Sequence, residues 1–474
     1  MANQQYEFGM IGLGVMGRNL LLNMADHGFP VIGFDKDLQK GAALESSATP
    51  GTTVKGVGSL AEMVSQLKSP RKLMMLVPAG KPVDDVIADL IPLLDSGDIV
   101  IDGGNSHYTD TLRRVNDLHG KGFHFMGVGI SGGEHGARVG PSIMPGGDPE
   151  AYAQVRPILE AVAAKVKESP CVAHLGKGAA GHYVKMVHNG IEYAIMQLIS
   201  ETYDLLHRGL SLNNDELHKI FKTWNEGDLQ SYLVEITRDI FLRQDDKTGN
   251  RLVDMILDKA GSKGTGKWTS QDAMDLPVPI PVIDMAVASR DMSTFKSERV
   301  EAAALYKTTA IRIELPVEVF VQQLQDALFF STIVCYAQGL AMLQIASREL
   351  EMDIPLPEVV RVWRGGCIIR SSLLEVFYKA YEANPQLANL LLDPAIAQLL
   401  QAKQKHTRNV LIHAIQTGYP VAGLGAAISY FDAYRSERLP TNLIQAQRDC
   451  FGAHTYQRWD IPGIFHTEWQ TEEG

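Results

Sequence analysis

Apolar residues along the chain follow two rhythms. In the first third, short apolar runs at Phe8 to Leu13, Val31 to Phe34, Leu73 to Val77 and Ile99 to Ile101 alternate with stretches such as Met16 to His27, where apolar positions recur at helical spacing. Strands alternating with helices predict crossover connections and hence a parallel sheet. After about residue 178 the spacing is helical almost throughout, as from Tyr183 to Leu210 and from Val317 to Glu351. The pattern predicts an α/β domain over residues 1–178, a large all-α domain over 179–438 and a C-terminal tail over 439–474. Two stretches interrupt the helices, the glycine-rich Ala260 to Trp268 and the alternating Pro277, Pro279 and Pro281, both predicted as loops. The tail carries Tyr456, Trp459, Phe465 and Trp469 with little periodicity near its end, and reads as a segment that needs an external groove to pack on.

The first strand runs into Gly12-Leu13-Gly14-Val15-Met16-Gly17, and a helical pattern follows. Strand, G-x-G-x-x-G and helix in this order supply a tight turn at Gly12, close backbone approach to a pyrophosphate at Gly14, close helix packing at Gly17 and the positive helix end facing the phosphates. The α/β domain is therefore expected to be Rossmann-like and to bind a dinucleotide. The second strand ends in Asp35-Lys36-Asp37, beside the expected adenosine ribose. A carboxylate accepts hydrogen bonds from a 2′,3′-diol and repels a 2′-phosphate, whereas a cation attracts it, so Asp35 leans towards NAD and Lys36 towards NADP, with a modest NAD preference the expectation. Val77 and Ala79, and Asp102-Gly103-Gly104-Asn105-Ser106, lie at later strand ends on the same sheet edge. Asn105 is read as a ligand there rather than as a plain turn-former.

The densest polar pattern is Gly181-His182-Tyr183-Val184-Lys185-Met186-Val187-His188-Asn189-Gly190-Ile191-Glu192-Tyr193. Lys185, His188, Asn189 and Glu192 stand at i, i+3, i+4 and i+7, so one helix face carries all four among apolar neighbours. Such a stripe lines a cavity or forms an internal network. Burial disfavours a charged lysine and a charged glutamate alike, making Lys185 a candidate general base and Glu192 a candidate acid.

Composition narrows the field. The chain has 474 residues, 45% of them hydrophobic and 21% charged, enough for a sizeable core. Fifty-five acidic residues against 44 basic ones give a net charge of −11, which argues against nucleic acid or an anionic membrane as partner. Cys171, Cys335, Cys367 and Cys450 lie far apart, without metal-ligand spacing, and suggest a reducing compartment. With neither a leader pattern at Met1 to Met10 nor an apolar run approaching 18 residues, a cytoplasmic location is expected.

Taken together the motifs resemble the 6-phosphogluconate dehydrogenase family of the β-hydroxyacid dehydrogenase superfamily. The resemblance rests on Gly12 to Asn19, Ile101 to Ser106, Ser131-Gly132-Gly133-Glu134, Met144 to Gly147, Gly181 to Tyr193, Lys263 to Trp268, Trp363 to Arg370 and Leu443 to Tyr456, and spans nearly the whole chain. It implies oxidation at C3 of 6-phosphogluconate, decarboxylation and protonation to ribulose 5-phosphate in the pentose phosphate pathway, with NADP or NAD and no metal. It implies that Lys185 and Glu192 are catalytic. Asn105, Ser131, Gly132, Gly133, His188 and Asn189 would hold the sugar acid and nicotinamide; Tyr193, Lys263, Arg290, Arg448 and His454 would hold the phosphate. A homodimer is implied, in which the tail of one subunit reaches its partner's cleft.

The sequence departs from the family pattern at Asp35-Lys36-Asp37, where Asn-Arg-Thr or Asn-Arg-Ser is usual, at Pro78, and at His135. Cys450 is expected to be a packing residue. Gly261 to Lys267 imitates a phosphate-binding P-loop, but Trp268 replaces the metal-binding hydroxyl residue and Leu252 to Ala260 reads as helix, not strand. Two rival readings are a sibling dehydrogenase on a smaller hydroxy acid, opposed by the cations Lys263, Arg290 and Arg448, and a non-catalytic dinucleotide-binding protein, opposed by Lys185 with Glu192.

Overall fold

A computed structural model describes residues 5–262, 264–307 and 311–469. Seven strands form one sheet: β1 (Phe8–Ile11), β2 (Val31–Phe34), β3 (Val54–Val57), β4 (Lys72–Met75), β5 (Ile99–Asp102), β6 (His124–Ser131) and β7 (Ser142–Gly147). Their order is β3-β2-β1-β4-β5-β6-β7, parallel except for β7, which pairs antiparallel with β6. Alternate residues feed two separate cores. Phe8, Met10, Met74, Ile99 and Ile101 join one; Ile11, Leu73, Met75 and Val100 join the other. A sheet covered on both faces explains the unbroken apolar runs in β1, β4 and β5. The order reverses direction between β1 and β4, which is where open α/β sheets bind ligands.

The sequence pattern revealed β1, β2, β4 and β5 but not β3, β6 or β7. Gly56 interrupts β3, Gly127 and Gly129 interrupt β6, and Pro145-Gly146-Gly147 ends β7. These residues weaken the strand signal, and Pro145 is tolerated because β7 is an edge strand.

The helix Ala180–Asp204 lies directly against β6 and β7. A Cβ on Gly181 would stand 2.2 Å from the Gly127 carbonyl oxygen, and one on Gly129 would stand 2.4 Å from Lys185 Cβ. The glycines that blur the strands therefore let this helix approach the sheet. Behind it runs the 33-residue helix Val317–Glu349, flanked by Pro394–Thr417. The longer helix is apolar enough to cross a membrane by length and composition, but 89% of its most apolar window is buried inside the protein. Two loop expectations and one helix expectation change. Pro281 opens the helix Pro281–Thr294, since proline suits a first helical turn, and Thr265, Gly266, Lys267 and Trp268 begin the helix Thr265–Asp275 after left-handed Gly264. The predicted helix Leu252 to Ala260 is helical only over Leu252–Met255.

The chain divides into two compact units, Met1–Ala427 and Ile428–Gly474. The second contains the helix Thr441–Gly452 and a bridge between Tyr456 and Phe465. Asp449, fully buried, accepts hydrogen bonds from Thr455 N (2.9 Å), Thr467 N (3.0 Å), His466 Nδ1 (2.9 Å) and Trp469 Nε1 (2.7 Å). Burial alone would raise its pKa, but these donors hold it below the ordinary carboxylate range. Cys450 is exposed, contrary to the packing role expected of it, because Asp449 takes the inward position.

Candidate active site

At the sheet's reversal point Gly12 adopts φ +94°, and a Cβ there would stand 2.4 Å from the Leu76 carbonyl oxygen, so β1 can turn beside β4 only with glycine. A Cβ on Gly17 would stand 2.0 Å from the Gly12 carbonyl oxygen, so glycine there lets the helix Val15–Asp26 pack on the turn, while Gly14 faces open space. A cleft of about 360 Å³ opens here, lined by Gly12, Gly14, Asp35, Lys36, Lys40 and Val77 among others. Open space at Gly14, exposed Val15 and a helix N-terminus form a cradle suited to a pyrophosphate. Leu13 is buried and Met16 packs on the core, so these two contribute backbone rather than side chains. Ala79 lies exposed beyond β4.

Asp35 turns inward. Its carboxylate accepts from Leu13 N (2.8 Å), Asp37 N (2.9 Å) and Lys40 Nζ (3.2 and 3.3 Å). Burial would raise its pKa, but the backbone donors and Lys40 lower it, so it stays ionised. Asp37 caps the helix Leu38–Ser46 through Gln39 N, and Lys36 is exposed at the cleft. Sequence reading overlooked Lys40; the i+5 spacing from Asp35 across a helix start gave no periodic signal.

Below Asn105, buried Asp102 accepts from Gly104 N (3.0 Å) and Ser106 Oγ (2.6 Å), and fully buried Arg114 reaches Gly80 O (3.0 Å) and Asp84 (2.8 Å). The loops after β4 and β5 are thereby tied to each other, with Asn105 exposed at the tip.

Lys185 is 7% exposed, and its Nζ makes no hydrogen bond among the described residues. It lines a small hollow with Asn105, Ser106, His182, Asn189, Thr265 and Trp268. Burial pushes its pKa below the ordinary 10.5, with the charge of Glu192 opposing part of the shift. Burial likewise raises Glu192, opposed by Lys185 and Arg290. His188, fully buried, is driven well below its ordinary value by burial and by the Lys185 charge. Its Nε2 lies 3.3 Å from Ser131 Oγ, and its Nδ1 3.1 Å from Asn189 Oδ1 and 3.9 Å from Glu192. An uncharged imidazole flanked by hydroxyl and amide groups suits hydrogen bonding to a polyol. Gly132, at φ +118°, passes so close to Gly366 that a Cβ would lie 2.5 Å from its carbonyl oxygen, and Gly133 opens the helix Gly133–Val139 beside Ser131.

Two turns from Lys185, Tyr193 packs under Gly266, and the Arg290 guanidinium stacks 3.5 Å from the centre of its ring. Lys263 lies outside the described residues. Arg448 and His454 belong to the second unit, where both are exposed and Arg448 Nη1 donates to Gln445 (3.1 Å). Thr265, Trp268 and His182 line the hollow but were not singled out as ligands by sequence; Gly264 and Gly266 flanking a threonine was the signal that a close approach occurs there.

Comparison with known proteins covers the whole chain. A family model described as the NAD binding domain of 6-phosphogluconate dehydrogenase matches residues 7–176, and one described as 6-phosphogluconate dehydrogenase, C-terminal domain, matches residues 181–469. The chain is 49% identical over 470 residues (99% of this chain, 100% of the relative) to an NADP(+)-dependent, decarboxylating 6-phosphogluconate dehydrogenase of Bacillus subtilis, and 48% identical over 471 residues (99% and 100%) to the decarboxylating enzyme of Lactococcus lactis. A Plasmodium falciparum 6-phosphogluconate dehydrogenase, solved without ligand, with NADP+ and with 6-phosphogluconate, superposes with a TM-score of 0.95 at 41% identity, covering 98% of this chain and all of that one.

Proposed function

The chain belongs to the 6-phosphogluconate dehydrogenase family, and from that premise we propose how its own side chains carry the reaction. The activity is oxidative decarboxylation of 6-phospho-D-gluconate to D-ribulose 5-phosphate and CO2 with reduction of NADP+ or NAD+, a step of the pentose phosphate pathway. One observation carries the assignment of the chemistry: on one helix, a buried lysine with no ion pair among the described residues stands two turns from a glutamate, and burial moves the pKa of the first down and of the second up.

Bound nicotinamide supplies the hydride acceptor. Neutral Lys185 takes the proton from the C3 hydroxyl as that carbon is oxidised. The resulting ammonium then donates to the C3 keto oxygen while the carboxylate leaves as CO2, the ketone taking up the electron pair. Glu192, protonated, delivers its proton to C1 of the enediol. Acid and base roles thus fall to groups whose ordinary pKa values burial brings towards neutrality. Asn105, Ser131, His188 and Asn189, with the backbone at Gly132 and Gly133, orient the sugar acid. Tyr193, Arg290 and Lys263 receive the phosphate, joined by Arg448 and His454 from a partner subunit in a homodimer. The stacked Arg290 favours this substrate over a smaller, unphosphorylated hydroxy acid.

At the ribose end, Lys40 cancels much of the Asp35 charge. The site therefore admits NADP, and the preference for NAD that Asp35 confers is modest. The four cysteines are free thiols, which supports a cytoplasmic enzyme. The decisive assay follows reduced cofactor and released CO2 together with 6-phosphogluconate. Lys185→Ala should lower kcat by about 10² to 10⁴; a variant as active as the parent would refute the proposed base.

A further inference from the structure

Behind the hollow sits a carboxylate that the mechanism does not use. Asp272 is 6% exposed and makes no ion pair among the described residues. Its Oδ1 accepts from the Tyr108 hydroxyl at 2.5 Å, and its Oδ2 accepts from the Tyr183 hydroxyl. The two rings meet edge to face, 4.9 Å between centres. Each partner belongs to a different wall of the hollow. Tyr108 follows Asn105 by three residues, and its neighbour His107 packs edge-on to Trp268 at 4.9 Å. Tyr183 lies two residues before Lys185, on the helix Ala180–Asp204. Asp272 itself lies one turn beyond Trp268 on the helix Thr265–Asp275, which begins at the hollow with Thr265.

We infer that Asp272 is a positioning residue, fixing the spacing of Asn105, Lys185 and Trp268 around the substrate by holding three walls through two tyrosine hydroxyls. A buried carboxylate held only by neutral donors requires both of them, because losing either leaves charge without compensation. Burial and the neighbouring Asp272 raise both phenol pKa values above the ordinary range, so the hydroxyls remain donors across the working pH. The Thr265–Asp275 helix is drawn in further by Thr269 Oγ1 donating to Met186 O (2.9 Å), at a crossing where Gly190 leaves no room for a Cβ. Displacement of such a helix by an ångström would misplace the reacting groups, an effect worth about 10²-fold in comparable sites.

The inference rests on the hollow being the place of catalysis, so Lys185→Ala serves as a separate control: should it keep full activity, that reading fails irrespective of Asp272. The test uses the full-length protein with 6-phosphogluconate and saturating cofactor, and records Tm beside kcat and KM. Tyr108→Phe and Asp272→Ala should each lower kcat about tenfold or more, with cofactor KM changed less than about twofold, since the Gly12 to Gly17 turn follows β1, two strands along the sheet from the β5 loop that leads to Tyr108. Asp272→Asn, which keeps one acceptor oxygen, should recover part of the Asp272→Ala loss. The double variant Tyr108→Phe with Asp272→Ala should be no slower than the worse single variant, within about twofold. A fall in Tm with kcat unchanged, a parallel rise in both KM values, or multiplicative losses in the double variant would each overturn the inference. If Asp272→Ala does not fold, Tyr108→Phe and Tyr183→Phe carry the test, because they remove only one oxygen each.

Discussion

Asp35 shows how much a single neighbour alters the meaning of a residue. From sequence its carboxylate argues for NAD, yet Lys40 Nζ lies within 3.3 Å of both its oxygens and two backbone N–H groups bind the same atoms. Removing Lys40 leaves the carboxylate uncompensated against a 2′-phosphate. Lys40→Ala should therefore lower kcat/KM with NADP by about tenfold while altering NAD by about twofold or less, and Asp35→Asn should shift the ratio the other way. Equal losses with both cofactors would remove Lys40 from cofactor choice. At this scale the polar stripe was legible: Lys185, His188, Asn189 and Glu192 share a helix face by spacing alone, and all four lie on the helix Ala180–Asp204, with His188 Nε2 3.3 Å from Ser131 Oγ. Trp268 and Thr265 were not legible as lining residues, because their helix reaches Lys185 through a non-local crossing at Gly190 and Thr269.

Between elements, the contact that sets the site is the helix Ala180–Asp204 pressed against β6 and β7. The strands there read poorly from sequence because their glycines serve the helix rather than the sheet. Gly181→Ala would force a Cβ to 2.2 Å from Gly127 O and 2.4 Å from Met144 O, both backbone atoms. Urea denaturation should show a loss on the order of 3 kcal/mol, the upper range for overpacking, with activity falling as Lys185 is pushed from the sheet edge. An unchanged midpoint would mean that the helix can shift without cost. By contrast, the helices Ala180–Asp204 and Val317–Glu349 were visible in the sequence nearly to their ends, since their apolar spacing persists over many turns. The short Leu252–Met255 helix shows the opposite limit: Ile256 and Leu257 continue the apolar pattern but lie about 60% exposed, and the pattern alone did not stop the helix.

For the molecule as a whole, the strand–helix alternation and its change of character after residue 178 conveyed the α/β sheet and the helical mass, while nothing local in the sequence reveals where Arg448 and His454 act. If they act across a dimer, Lys185→Ala and Arg448→Ala subunits, each inactive alone, should complement when mixed. Random pairing gives half heterodimers with one intact site each, hence about a quarter of the parental activity. Heterodimers that stay inactive would place both residues in the same subunit's site.

The knot around Asp449 bears on the shape of that tail. Thr455, His466, Thr467 and Trp469 converge on one carboxylate, so the stretch bearing His454 is a small preshaped clip rather than a loose strand. If Arg448 and His454 meet a substrate phosphate as proposed, a clip ordered in advance sacrifices little conformational freedom on docking, and more of that attraction is left for binding.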